Sequence, residues 1–213
     1  MIGIELHDVG ISSLRWLLGV LSGTAFGFLL GSLSLHAPTD RRISWLFHFL
    51  RSVPIIGLVP VIQWVFGISE IGKIGLIAWA VSFPVWISVK RAAEVRLPET
   101  ELSLRARRVT GYDLFRVYTF PRVLRGLFQG FEIALGIGWL AVVASELIAT
   151  YSKGFWSGGL GHRLFYAFSL NDWTTGTSAL LLFGMLGIVS SFLWNRFGTA
   201  LFIRLTGIRP GSV

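Results

Sequence analysis

The sequence predicts an all-α, polytopic transmembrane bundle of about five spans, and three observations carry that prediction. Apolar residues make up 53% of the 213 and charged residues only 14%, with a mean hydropathy of +0.68. A soluble domain carries roughly 25% charged residues. Uncharged runs recur at lengths that cross a bilayer, and basic residues gather between them. Nine Trp and 17 Phe suit the same medium, because aromatic rings favour the lipid boundary.

Trp16 to Leu35 is the first span, 20 residues without a charge. At about 1.5 Å per residue it reaches about 30 Å, enough for the hydrocarbon core. Ile43 to Ser69 is the second, interrupted by Arg51, Pro54 and Pro60. Proline has no N–H to donate, so these positions should kink or break the span. Irregular backbone at that depth must face protein or a cavity. Ile74 to Val89 is a short third span containing Pro84. Gly126 to Thr150 is the fourth, with Glu132 and Glu146, and Trp173 to Phe197 is the fifth. These form one domain over 1–213, with no soluble unit between them. No internal repeat is visible, and an odd number of spans argues against a simple inverted repeat.

Orientation follows from Lys and Arg. One side holds Arg41, Arg42, Lys90, Arg91, Arg96, Arg105, Arg107, Arg108, Arg116, Arg122, Arg125, Arg196, Arg204 and Arg209. The other holds Arg15, Lys73, Lys153 and Arg163. The fourteen-to-four bias places the N-terminus outside and the C-terminus in the cytoplasm. Segment 151–172, with Gly154, Gly158, Gly159 and Gly161, then lies outside, as a periplasmic cap or a re-entrant helix. Glu5 and Asp8 precede the first apolar run, the reverse of a cleavable leader, so the first span is expected to direct its own insertion.

The net charge of +8 does not indicate nucleic-acid binding, because its basic residues form no patch on a soluble fold. There is no Cys, hence no disulfide and no thiolate metal site. His7, His36, His48 and His162 lack metal-ligand spacing. No phosphate-cradling loop, nucleophile elbow or zinc-hydrolase motif is present. The chain is therefore expected to catalyse nothing and to bind no ATP itself.

The loop 90–125 is cytoplasmic in this scheme and holds 13 of the 30 charged residues. Pro98 suits a first helical turn, with Glu99 and Glu101 near its start and Arg105, Arg107 and Arg108 near its end. Gly111 suits the stop. Asp113 would begin a second short helix, closed by Pro121. A merely solvated loop explains the charges. It leaves Leu102, Leu104, Val109, Leu114, Phe115, Val117 and Phe120 without a surface to cover them.

Three stretches together resemble the permease subunits of ABC importers for nitrate, bicarbonate, sulfonates and taurine. They are LRSVPIIGLVPVIQWVFGISEIGKIGLIAWAVSFPVW (50–86), GYDLFRVYTFPRVLRGLFQGFEIALGIGWLAVVASELIA (111–149) and the Gly-rich 158–161. They carry an Arg-x-x-Pro…Pro stretch, Phe66-Gly67, Lys73 opening a span, Phe120-Pro121 ending the loop and Glu146 closing the next span. The resemblance covers nearly the whole chain.

It implies a type I importer fold and a homodimer in the bilayer. Two separate ATPase subunits would bind ATP and Mg, and an external binding protein would deliver a small solute, an anion or sulfonate-like compound. The mechanism would be alternating access in the inner membrane of a bacterium. The family's loop carries a Glu-Ala-Ala…Gly signature that docks on the ATPase, and here that signature is degraded. Counted back without a gap from Pro121, its glycine falls on Arg108; aligned on Gly111, its glutamate falls on Arg105. The family usually has six spans, one more at the N-terminus, and a basic or neutral residue at Glu132.

The expected ATPase contact is residues 102–116, through Leu104, Arg105, Ala106, Arg107, Arg108, Gly111, Tyr112, Leu114 and Phe115. The expected translocation path uses Arg51, Pro54, Pro60 and Glu146, with the second, fourth and fifth spans around it. Arg51 reads equally well as an interfacial residue that snorkels to headgroups. Glu132 is expected to pair with a nearby arginine. Two other readings are a non-transporting membrane scaffold and an intramembrane enzyme; the second lacks converging polar groups.

Overall fold

The computed structural model describes residues 6–33, 41–67, 69–94, 102–104, 106, 108–109, 111–146 and 158–206, all helix, turn or extended connection without a strand. Among these residues, seven helices of eight or more residues follow in order. They are α1 (Leu6–Ser32), α2 (Arg41–Ser52), α3 (Ile55–Phe66), α4 (Glu70–Glu94), α5 (Tyr112–Glu146), α6 (Leu160–Ser169) and α7 (Trp173–Thr206). Helices α1, α4, α5 and α7 are each long and apolar enough to cross a membrane, and the bent pair α2–α3 makes a fifth candidate.

The spans run past the uncharged stretches. The first helix starts at Leu6 rather than Trp16 and takes in Asp8 and Arg15; the third runs from Glu70 to Glu94 rather than 74–89. Charge-free length underestimates a span whose end charges are neutralised by protein.

The core is built on α4, whose span is more deeply buried than any other candidate among the described residues. Gly19, Gly23, Gly27 and Gly31 recur every fourth residue along one face of α1. A Cβ at Gly31 would lie 2.7 Å from Val89, and one at Gly23 2.9 Å from the Ala78 backbone. The repeat therefore lets α1 approach α4 at backbone distance, as small residues do between membrane helices. A second ridge on α5, Gly126, Gly130, Ala134 and Gly138, recurs with the same period. Its first two glycines press on Ala92 and Val85, on the other side of α4.

The contacts fix helix directions. From Gly19 to Gly31 the partners on α4 advance from Ile77 to Val89, so α1 and α4 are parallel. From Gly126 to Gly130 the partners retreat from Ala92 to Val85, so α5 is antiparallel to α4. Phe128 meets Phe202 and Trp139 meets Phe183, so α7 is antiparallel to α5. Two consecutive long helices that run parallel need a return crossing between them. Segment α2–α3 supplies it: Lys90 bonds Ser44, Phe47 stacks on Trp86, and Ile62 and Phe66 lie beside Gly72. The bent pair therefore climbs the full length of α4 and is one crossing, although its halves meet at 98°.

Pro54 explains the bend. It cannot donate to the Leu50 carbonyl, and its ring would clash there. The chain turns at Val53 and restarts with Pro54 as the residue before α3, with ψ at 129°. Pro60, expected to kink or break the span as well, lies inside α3 and does not break it.

Candidate functional site: a broken crossing, a buried ion cluster and the turn before α5

The break sits beside the middle of α4. Below it, Arg51, Val53 and Ile55 join Phe83, Pro84, Ser88 and Arg91 of α4 and Ile133 and Ile137 of α5 around a cavity of about 360 Å³. Above it, Pro54, Ile55 and Ile56 face Gly136, Leu140 and Val143 of α5 and Phe183 and Gly187 of α7 across a cavity of about 630 Å³. Ile55 borders both. The lower space carries two guanidinium groups and the upper one is almost wholly apolar. Of the four expected path residues, Arg51 borders the first and Pro54 the second. Pro60 borders neither, and Glu146 is elsewhere.

Glu146 closes α5 inside a buried ion cluster. Arg15 donates through Nε and Nη2 to both carboxylate oxygens of Glu70, at 2.7 and 2.9 Å. Through Nη1 it reaches Glu146 Oε1 and the Gly158 carbonyl, both at 2.9 Å. Lys73 donates to Glu70 at 2.6 Å. Ser12 donates to Glu146 Oε1 at 2.6 Å and accepts from the Leu160 N–H, and the Gly161 N–H donates to Glu146 Oε2 at 2.6 Å. Asp8 accepts from Arg163 at 2.8 Å and from the Gly159 N–H at 3.1 Å.

Arg15, Lys73 and Glu146 are fully buried, and three cations balance three anions. The Gly-rich segment is explained at the same place. Gly158 and Gly159 have φ of 91° and 125°, and a Cβ on Gly159 would press on Glu146 and Arg15. Buried charges are tolerated only when paired and hydrogen-bonded. Here pairing joins the ends of α1, α4 and α5 to the start of α6. Arg15 and Lys73, counted from the sequence only as charges of the outer side, are buried members of this cluster. The carboxylates that pair with Arg15 lie 55 and 131 residues from it, so no local pattern announces that contact; only Lys73 and Glu70 are near in sequence, three apart.

Outside the spans, His162 of α6 stacks on Tyr166 at 6.1 Å. Burial first, and the neighbouring Arg163 cation second, hold its imidazole below the usual histidine range; Asp8 opposes them and Lys73 adds to them.

Across the molecule, the expected ATPase contact begins at a helical turn, Leu102–Leu104. The Val109 N–H donates to the Leu104 carbonyl at 3.0 Å, with Arg108 at φ 60° between them. This is a helix stop of the Schellman kind, with Arg108 at the left-handed position usually held by glycine. That is where the gap-free count from Pro121 places the signature glycine. Gly111 is also left-handed, at φ 61°. Ala106, Arg108, Gly111, Tyr112 and Phe115 are exposed, while Leu104 and Leu114 are half-buried. Pro98, Glu99, Glu101, Arg105 and Arg107 lie outside the described residues.

The expected second short helix does not end at Pro121. It continues into α5 through one widened turn, Phe115–Thr119. That turn gives the proline ring room against the preceding carbonyls, the usual place for a π-bulge. Glu132 is exposed and, among the described residues, has no ion-pair partner, contrary to the expected arginine pair.

Among the described residues, up to five candidate crossings, one of them broken between two cavities, make this a polytopic membrane protein. The chain belongs to the family of binding-protein-dependent transport system inner membrane components, whose model matches residues 23–207. It is thus a multi-pass inner-membrane protein of an ABC-type permease family. An ABC transporter permease protein of Methanocaldococcus jannaschii is 27% identical over 191 residues, 88% of this chain and 68% of the relative. The aliphatic sulfonates transport permease protein SsuC of Escherichia coli is 29% identical over 204 residues, 91% and 74%. The taurine transport system permease protein TauC of Escherichia coli is 33% identical over 158 residues, 70% and 55%. The chain thus spans between about half and three quarters of the length of these relatives.

Proposed function

We propose that this chain forms the translocation path of an ATP-driven importer for a small anionic solute. Two copies would assemble with two ATPase subunits, which hold ATP and Mg, and with an external binding protein. The observation that carries the reading is the crossing broken at Pro54 between a basic and an apolar cavity. Broken helices with a binding space at half depth are a recurring transporter device. Arg51 and Arg91 in the lower cavity favour an anion, in keeping with relatives named for sulfonates, taurine, nitrate and bicarbonate. The basic side is the cytoplasm, so the cluster around Arg15 faces out and residues 102–116 face the ATPase.

The chain has no Cys, so single cysteines at Ile55 and Gly136 report on the path directly. In proteoliposomes of the whole complex, ATP with vanadate should change their reactivity to a water-soluble maleimide. Identical reactivity with and without ATP would remove the transport reading and favour a scaffold.

A further inference from the structure

We propose that α2 is a membrane-surface helix. It lies flat in the leaflet on the basic side of the bundle, with its apolar face in lipid and its first turn among anionic phospholipid headgroups. That this leaflet is the cytoplasmic one rests on the orientation proposed above; that α2 lies flat in an anionic leaflet does not.

The direction of α2 follows from that of α3. Ile55 shares a cavity with Phe83 and Pro84, Val59 packs with Leu76, and Phe66 lies beside Gly72. α3 therefore follows α4 in the reverse direction. α2 meets α3 at 98°, so it lies across α4 rather than along it. Ser44 and Phe47 meet Lys90 and Trp86, one turn of α4 apart. Trp86 lies about 21 Å and Lys90 about 27 Å along α4 from Gly72, at about 1.5 Å per residue. The hydrocarbon core is about 30 Å thick, which puts α2 at its basic edge.

The faces of α2 suit that edge. Ser44, His48 and Arg51 are spaced by four and three residues and share a polar face; Trp45, Leu46 and Phe49 share an apolar one. All three apolar side chains are exposed, and Trp45 stacks on Phe49 at 5.8 Å. An amphipathic helix in the interface sinks its apolar face about 5–10 Å into the headgroup boundary, and Trp is enriched at that level. Residues 40–52 and 90–94 carry Arg41, Arg42, Arg51, Lys90 and Arg91 against Asp40 and Glu94. Basic residues gathered at the headgroups attract anionic lipid. An apolar protein partner at Trp45 and Phe49 would leave this excess unmatched; an anionic leaflet meets both. Arg51 and Arg91 border the lower cavity and stay available to a solute. The lipid contact falls to Arg41 and Arg42, which open α2 about 15 Å from Arg51 along the helix.

The chain has no Cys, so single cysteines at Trp45, Leu46 and Ser52 can each carry a bimane label in phosphatidylcholine proteoliposomes of the whole complex. Added lipids with a doxyl group near the headgroup or near the chain end report depth by quenching. The labels at positions 45 and 52, seven residues apart on one side of α2, should lie at equal depth, with that at 46 deeper. A helix crossing the bilayer would separate the first two by about 10 Å. Doxyl-phosphatidylglycerol should quench the label at 45 at least about threefold more strongly than doxyl-phosphatidylcholine. Arg41→Gln with Arg42→Gln should remove that difference and leave the depths unchanged. A depth gap near 10 Å, equal quenching by the two lipids, or a preference that survives the double substitution overturns the proposal. So does a label at 45 and 46 that neither lipid quenches, which would assign the face to a protein partner. Quenching by lipid confined to the outer leaflet would support the flat helix and reverse the orientation. The expected depths and preference in a complex that moves no solute support the flat helix and remove the transport reading alone.

Discussion

Arg15 has every nitrogen committed. Three acceptors from three parts of the chain, Glu70, Glu146 and Gly158, take its donors. Removing one partner of a buried pair leaves an uncompensated charge, at a cost of about 3–5 kcal/mol. Arg15→Met should therefore lower the thermal midpoint of the purified protein sharply, with Glu70 and Glu146 left facing each other. A melt within a degree or two of the parent would show that the cluster contributes little. The His162 imidazole sits below its unfolded range because of burial and Arg163. The unfolded chain thus takes up its proton at higher pH than the folded one, so stability falls as pH drops from the unfolded pKa, about 6.5, toward the lower folded value. Melts at pH 7.5 and 5.5 should differ more for the parent than for His162→Gln. Equal differences would assign the acid sensitivity to other groups.

At the scale of elements, the two glycine ridges decide how closely α4 is held. Their period of four stands in the sequence but goes unread when runs are scored for hydropathy alone. Pro54 and the five crossings are legible, because proline chemistry and apolar length act locally. The ion cluster is not, because Arg15 looks like a charge at the outer end of a span until Glu70 and Glu146 reach it from 55 and 131 residues away. The length of α5 is also hidden, because Pro121 reads as a stop and the widened turn that absorbs it has no composition of its own. Gly27→Leu would drive a side chain into Val85 and the Trp86 backbone. Overpacking of this kind costs about 1–3 kcal/mol when neighbours can yield, and here backbone is in the way. The variant should insert but be cleaved faster than the parent by added protease in detergent. Resistance equal to the parent's would mean that α1 can be shifted off α4.

At the scale of the whole molecule, the ion cluster and the turn before α5 mark opposite ends of the same bundle. α5 joins them as one helix, with Tyr112 at its start and Glu146 at its end. Under the proposed transport reading, a push at Phe115 would be carried along α5 to the cavities beside Ile133 and Leu140. Phe115 is exposed on that first stretch. Phe115→Asp would place a charge in an apolar contact, so co-purification with the ATPase should fall at least tenfold while insertion is unchanged. Undiminished co-purification would place the ATPase contact elsewhere.

The parallel pairing of α1 with α4 has a consequence for the order of manufacture. Gly19 finds its surface only at Ile77, 58 residues later. At about 5–20 residues per second of synthesis, α1 waits several seconds with its ridge bare. Arg15 waits for Glu70 and then, far longer, for Glu146. During that interval the first helix is a client that something else must shelter, whether the insertion machinery or the aqueous side of the membrane. A nascent chain stalled after Gly67 should crosslink through α1 to the insertion machinery, and one stalled after Glu146 should not. Equal crosslinking at both lengths would show that α1 needs neither partner to settle.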